Sequence, residues 1–232
     1  MRIAMHYKRA LLAMVLMLIV FTVCLLTTTA YSQNEKENKM NVQFINITED
    51  HVKNSFLEVY KKYDDLHAYK ITVIQKRIGA TTMKAQPIIT FKNLCKGTKE
   101  YRIVIGEFLK DTDIKLSEVP KDVLKGWFAH ELGHVVDYEQ HSNFGMLWYG
   151  LRYVTSGSFK KKVEHKADYI ALKKGFKNSL LKTKRYILLS DVFSSKYLIN
   201  MNKYYLPLDS VKNYLDEKVE KDDEALSKMY HD

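Results

Sequence analysis

Gly126-Trp127-Phe128-Ala129-His130-Glu131-Leu132-Gly133-His134-Val135-Val136-Asp137 holds a His-Glu-x-x-His pattern, and its reading decides both fold and chemistry. On a helix, residues four apart share a face about one turn apart, so His130 and His134 can aim ring nitrogens at one zinc ion. Glu131, one position on from His130, stands beside such an ion rather than on it. That is where a general base takes a proton from a zinc-activated water.

The flanks favour a helix. Pro120 is tolerated in a first turn, and Ser117 is a candidate N-cap. Leu124, Phe128, Leu132 and Val135 recur at helical spacing as one apolar stripe, with His130 and His134 well away from it. Gly126, Ala129 and Gly133 fall on a third arc. Each glycine costs a helix about 1 kcal/mol relative to alanine, so this small-residue face is expected to let a second element approach beside the metal.

A third ligand is needed. Asp137 and Gln140 stand where a three-histidine pattern would place glycine and histidine, and His141 comes one residue late. Further on, Val163 to Leu172 reads as a second helix, with Ser158 a candidate N-cap and Gly175 a candidate C-cap. Glu164 and Asp168 are four apart on it and share a face. Glu164 can supply the third ligand, and Asp168 can accept a hydrogen bond from the far nitrogen of a ligating histidine, fixing its tautomer. His165 is the alternative ligand on this helix, but it points about 100° away from Glu164.

His130-Glu131-x-x-His134 followed by Glu164-x-x-Ala167-Asp168 resembles the gluzincin metallopeptidases, the thermolysin-like group, and above all their small minimal members. The resemblance covers roughly residues 120 to 172. It implies a zincin-like α+β fold and a zinc endopeptidase site with His130, His134 and Glu164 as ligands, Glu131 as base and Asp168 as orienting acid. It also implies that an edge strand holds the peptide substrate extended, and Tyr101–Ile105 or its neighbour is the expected strand. No oxyanion donor follows from the motifs. Tyr153, Tyr169 and Tyr186 are candidates, each more often a core or surface residue.

The first nine residues carry Arg2, Lys8 and Arg9 and no acid, an apolar run follows from Ala10 to Leu26, and Ala30-x-Ser32 ends in small residues. This is the pattern of a signal peptide over residues 1–32, with an uncleaved anchor through residues 10–26 as the alternative and the route to membrane association. Both place the remainder outside the cytoplasm, secreted or periplasmic. Residues 33–232 hold 34 basic and 27 acidic residues. Their basic side chains are spread thinly, without a nucleic-acid motif, so nucleic acid is not expected; a peptide or protein substrate is what the resemblance implies. Cys95 is the one cysteine left after residue 32, which excludes an internal disulfide and a cysteine-type zinc site.

Residues 33–47 read as a flexible leader and 48–232 as a single domain. Within it, 48–119 is expected as helix plus sheet and 120–232 as a helical region holding the metal site. A helix is expected from Thr48 to Tyr63. Tyr69–Ile74, Pro87–Phe91 and Tyr101–Ile105 are β-rich runs expected to form a small, mostly antiparallel sheet. Asn143 to Val154 is apolar and aromatic, expected either as a buried helix or as a flap over the cleft. The expected activity is peptide-bond hydrolysis; the alternative is a catalytically inactive, zinc-stabilised extracytoplasmic binding protein.

Overall fold

A computed structural model describes residues 41–96 and 99–214. The expected signal or anchor segment and the charged C-terminal tail lie outside the described residues. Among the described residues no helix is long and apolar enough to cross a membrane.

The fold is α+β. Strand β1 (Val42–Ile45) leads into helix α1 (Asp50–Tyr60), then β2 (Lys70–Gln75), β3 (Met83–Pro87), the short α2 (Phe91–Lys96) and β4 (Glu100–Ile105). A helical region follows: α3 (Lys121–Glu139), α4 (Asn143–Thr155), α5 (Gly157–Lys173), α6 (Lys177–Leu189) and α7 (Ser195–Tyr204).

The four strands run in the order β1-β2-β4-β3. β1 pairs with β2 and β2 with β4 in parallel, and only β3 runs antiparallel, beside β4. This corrects the expectation of a mostly antiparallel sheet. The reason lies in β1, which falls inside the stretch read as a flexible leader. Once Val42–Ile45 is a strand, α1 becomes a crossover between two strands, and a crossover helix delivers parallel pairing. A second correction concerns Pro87–Phe91. The strand ends at Pro87, and the chain turns into α2 at Phe91. Met83-Lys84-Ala85-Gln86 has weak intrinsic β preference and is extended because it pairs with β4.

α3 is the central element, with thirteen of its nineteen residues buried. α1, α5, α6 and β3 all pack against it. An aromatic chain ties it to the sheet: Phe44 meets Phe56 edge-on at 5.7 Å, and Phe56 meets Phe128 at 5.4 Å. Ser117 sits in a 3-10 turn (Leu116–Glu118), and α3 begins directly after Pro120, whose fixed φ suits that junction. α5 is capped by Ser156, which accepts from the Phe159 amide, rather than by Ser158. Its C-terminus closes at Gly175 with φ +85°, where the Phe176 and Gly175 amides return to Ala171 and Leu172. α4 is half buried. Met146 and Tyr149 face inward with Val163, while Phe144, Leu147, Trp148, Leu151 and Val154 face outward.

Candidate metal centre

The glycines of α3 fix how the second helix arrives. A Cβ built on Gly133 would lie 2.5 Å from the Ala167 carbonyl oxygen of α5, and one on Gly126 would lie 2.6 Å from the Ser179 carbonyl oxygen of α6. The small-residue face therefore admits two helix backbones. At the Gly133 crossing, α5 brings Glu164 and Asp168, one turn apart, against His130 and His134.

His130, His134 and Glu164 each offer a buried ligand atom, and the three atoms lie within 4.8 Å of one another. Nε2 of His130 is 3.0 Å and Nε2 of His134 is 3.4 Å from the same oxygen of Glu164, Oε2. The donor set of two imidazoles and one carboxylate suits zinc and other divalent first-row ions. A second observation supports the fit: Nδ1 of His130 is 2.9 Å from Asp168 Oδ1, which leaves Nε2 free to ligate once Nδ1 carries the proton.

The outer groups extend further than the motifs reach. Asp168 Oδ2 accepts from Lys184 Nζ at 2.9 Å and from the Leu206 amide at 3.1 Å. Burial alone would raise the Asp168 carboxyl, but the Lys184 ammonium and the His130 hydrogen bond hold it down at about 2. Burial would lower His130, yet Asp168 and Glu164 push it up to about 10, so a metal ion entering here displaces a proton. Glu164 is held well below its ordinary range against burial, first by His134 and then by His130. Its other oxygen, Oε1, accepts a hydrogen bond from the Tyr153 hydroxyl.

Glu131 is buried beside the ligands and is not one of them. Its Oε2 accepts from the Ala85 amide at 2.6 Å, and the Tyr138 hydroxyl donates to the Ala85 carbonyl at 3.3 Å. Among the described strands β3 is the outer one beside α3, with the outward amide and carbonyl of Ala85 taken up by Glu131 and Tyr138, while β4, flanked on both sides, is not an edge. Burial raises the Glu131 carboxyl and outweighs the neighbouring histidines. The site opens into a cleft of about 510 Å³ lined by β3, α3, α4 and α7.

The remaining candidates are placed apart. Asp137 accepts from Tyr149 at 2.5 Å and pairs with Lys166, so it anchors α4. His141 reaches Asp137 only at 4.0 Å. His165 stands outside the donor cluster. Tyr169 is exposed, and Tyr186 meets Trp127 edge-on. Sequence reasoning missed Lys184, Ala85 and Tyr205, whose ring lies 5.3 Å from that of His130. Lys184 carried a signal: it sits among Leu180, Thr183 and Ile187 on the buried face of α6, where a lysine needs a buried acid. Comparison of the chain with protein-family models, with curated proteins and with solved structures finds no match.

Proposed function

We propose that this chain is an exported zinc metallopeptidase of gluzincin type that hydrolyses peptide bonds. The observation that carries the reading is the convergence of His130, His134 and Glu164 beside a separate buried carboxylate, Glu131, that is bonded to the Ala85 amide of the outer strand β3. Zinc held by the three donors supplies Lewis acidity to a carbonyl oxygen and to water. Glu131 takes a proton from the attacking water and returns it to the leaving amine. Burial raises its carboxyl, which favours holding a proton in transit, and its bond to Ala85 fixes its aim. β3 lines the cleft, along which the substrate would lie extended.

Tyr205 is the oxyanion donor in this reading. It lines the cleft with its ring 5.3 Å from that of His130, which supports a role for its hydroxyl where negative charge develops.

The test combines zinc per molecule with hydrolysis of an unstructured protein. The parent is expected to carry one zinc and to cut, and Glu164→Ala to lose zinc while folded. Glu131→Gln is expected to keep zinc and lose turnover. A zinc-loaded parent that cuts nothing across a broad peptide library overturns the enzyme reading in favour of a binding protein. Parent-level turnover in Glu131→Gln overturns the base assignment.

A further inference from the structure

α4 faces two ways. Tyr149 and Tyr153 reach inward to Asp137 and Glu164, pinning one side of the helix to the metal site. On the other side Phe144, Leu147, Trp148, Leu151 and Val154 follow helical spacing and are each between 50% and 77% exposed. A contiguous stripe of five large apolar side chains on a helix surface marks an interaction site rather than the ordinary scatter of single exposed residues.

The charges around the stripe say what kind of partner it fits. Residues 140–163 contain no acidic residue and carry Arg152, Lys160, Lys161 and Lys162. Arg152, Lys161 and Lys162 are exposed, and Phe91 and Lys92 on α2, which packs against α4, extend the same composition. Trp, Phe and Leu on one face with Lys and Arg at its border is the composition of a helix lying in a lipid headgroup region. A second copy fits less well, because a two-fold pairing of identical faces would set these cations against themselves.

We propose that the outer face of α4 docks on the surface of an anionic lipid bilayer. Gly150 and Val154 border both this face and the cleft, so docking sets the cleft mouth at the membrane and directs the site toward chain segments close to the lipid. The docking surface is independent of turnover and of residues 10–26.

The chain has two tryptophans, Trp127 in the core and Trp148 on the stripe, so intrinsic fluorescence reports on the stripe. The full-length chain is reconstituted into vesicles whose acyl chains carry bromine, with anionic or zwitterionic headgroups. Loss of Trp148 emission on anionic vesicles is expected, with little loss on zwitterionic ones. Trp148→Phe is expected to abolish the quenching, as is Leu147→Glu combined with Leu151→Glu, two exposed positions at which folding is preserved. All variants keep residues 10–26, so an anchor cannot imitate the difference. Quenching no greater in the parent than in Trp148→Phe overturns the proposal, as does equal quenching on both lipids. So does Trp148 shielded from aqueous iodide before lipid is added, which would mean that a second copy or the acidic residues after 214 cover the stripe.

Discussion

Gly133→Ala tests whether the approach of two helices sets the metal geometry. The added Cβ would meet the Ala167 carbonyl oxygen at 2.5 Å and two further backbone atoms of α5 at 3.1 Å, where ordinary contact begins near 3.4 Å. Backbone atoms in a packed helix do not swing aside, so α3 and α5 must part by about 0.9 Å at this crossing. Overpacking of this kind costs about 1–3 kcal/mol, offset by up to about 1 kcal/mol of improved helix propensity. Stability should therefore fall only modestly. The metal should suffer more, because coordination distances tolerate only about 0.2 Å and α5 carries Glu164. Zinc affinity is expected to drop by at least the roughly 10- to 100-fold seen when an outer-shell partner is disturbed. Competition against a chelator measures affinity, and urea melts measure stability. Gly150→Ala is the control: it lies within α4 with nothing within 4 Å of the new methyl, and should bind zinc as the parent does and melt slightly higher. Parent-level zinc affinity in Gly133→Ala would refute the argument that the glycine crossing positions Glu164.

Three further outcomes follow from the same geometry. Lys184→Met leaves Asp168 buried without its cation; breaking such a pair costs about 3–5 kcal/mol, and zinc affinity should fall with it, while unchanged urea melts and chelator competition would show that Lys184 has no supporting role. Tyr205→Phe should keep zinc stoichiometry and lower kcat by about 10²- to 10³-fold with little change in KM, and an unaltered kcat removes Tyr205 from the mechanism. For the chelated protein, His130 is raised from 6.5 to about 10, so its contribution is full below pH 6.5 and lost as pH rises through about 10. Asp168 is lowered from 3.8 to about 2, so its contribution is present above pH 3.8 and lost as pH falls through about 2. Urea melts across pH should trace both declines, and a flat alkaline limb would contradict the His130–Asp168 coupling.

The donor cluster was legible because its information is local. One turn of helix brings His130 and His134 together, one turn brings Glu164 and Asp168 together, and Gly133 marks where the second helix crosses. The sheet was not legible in this way. β1 is four residues long and sat next to a polar leader, and β3 is built from Met, Lys, Ala and Gln, so pairing partners rather than propensity decide both. Misreading Val42–Ile45 removed the strand that turns α1 into a crossover, and the parallel pairing was lost with it. Ala85 could not be foreseen at all, because its role belongs to a backbone amide that only the sheet edge places against Glu131. Leu206 is the same case on the opposite side, where an amide from the chain after α7 reaches Asp168.

Charge balance explains why these side chains can be buried together. Around the donor cluster stand three buried carboxylates, Glu131, Glu164 and Asp168, against one buried ammonium, Lys184. With both histidines neutral, as ligation requires, the cluster carries two excess negative charges, and uncompensated charge of that size in a core costs several kcal/mol per ion. A divalent cation cancels it. Protonation of His130, favoured by its two carboxylate partners, cancels only half. A monovalent ion has the same shortfall, and the Lys184–Asp168 pair already accounts for one of the three carboxylates. The approach of both Nε2 atoms to Glu164 and the Asp168 bond to Nδ1 fit the same group of three donors, which could hold a metal ion.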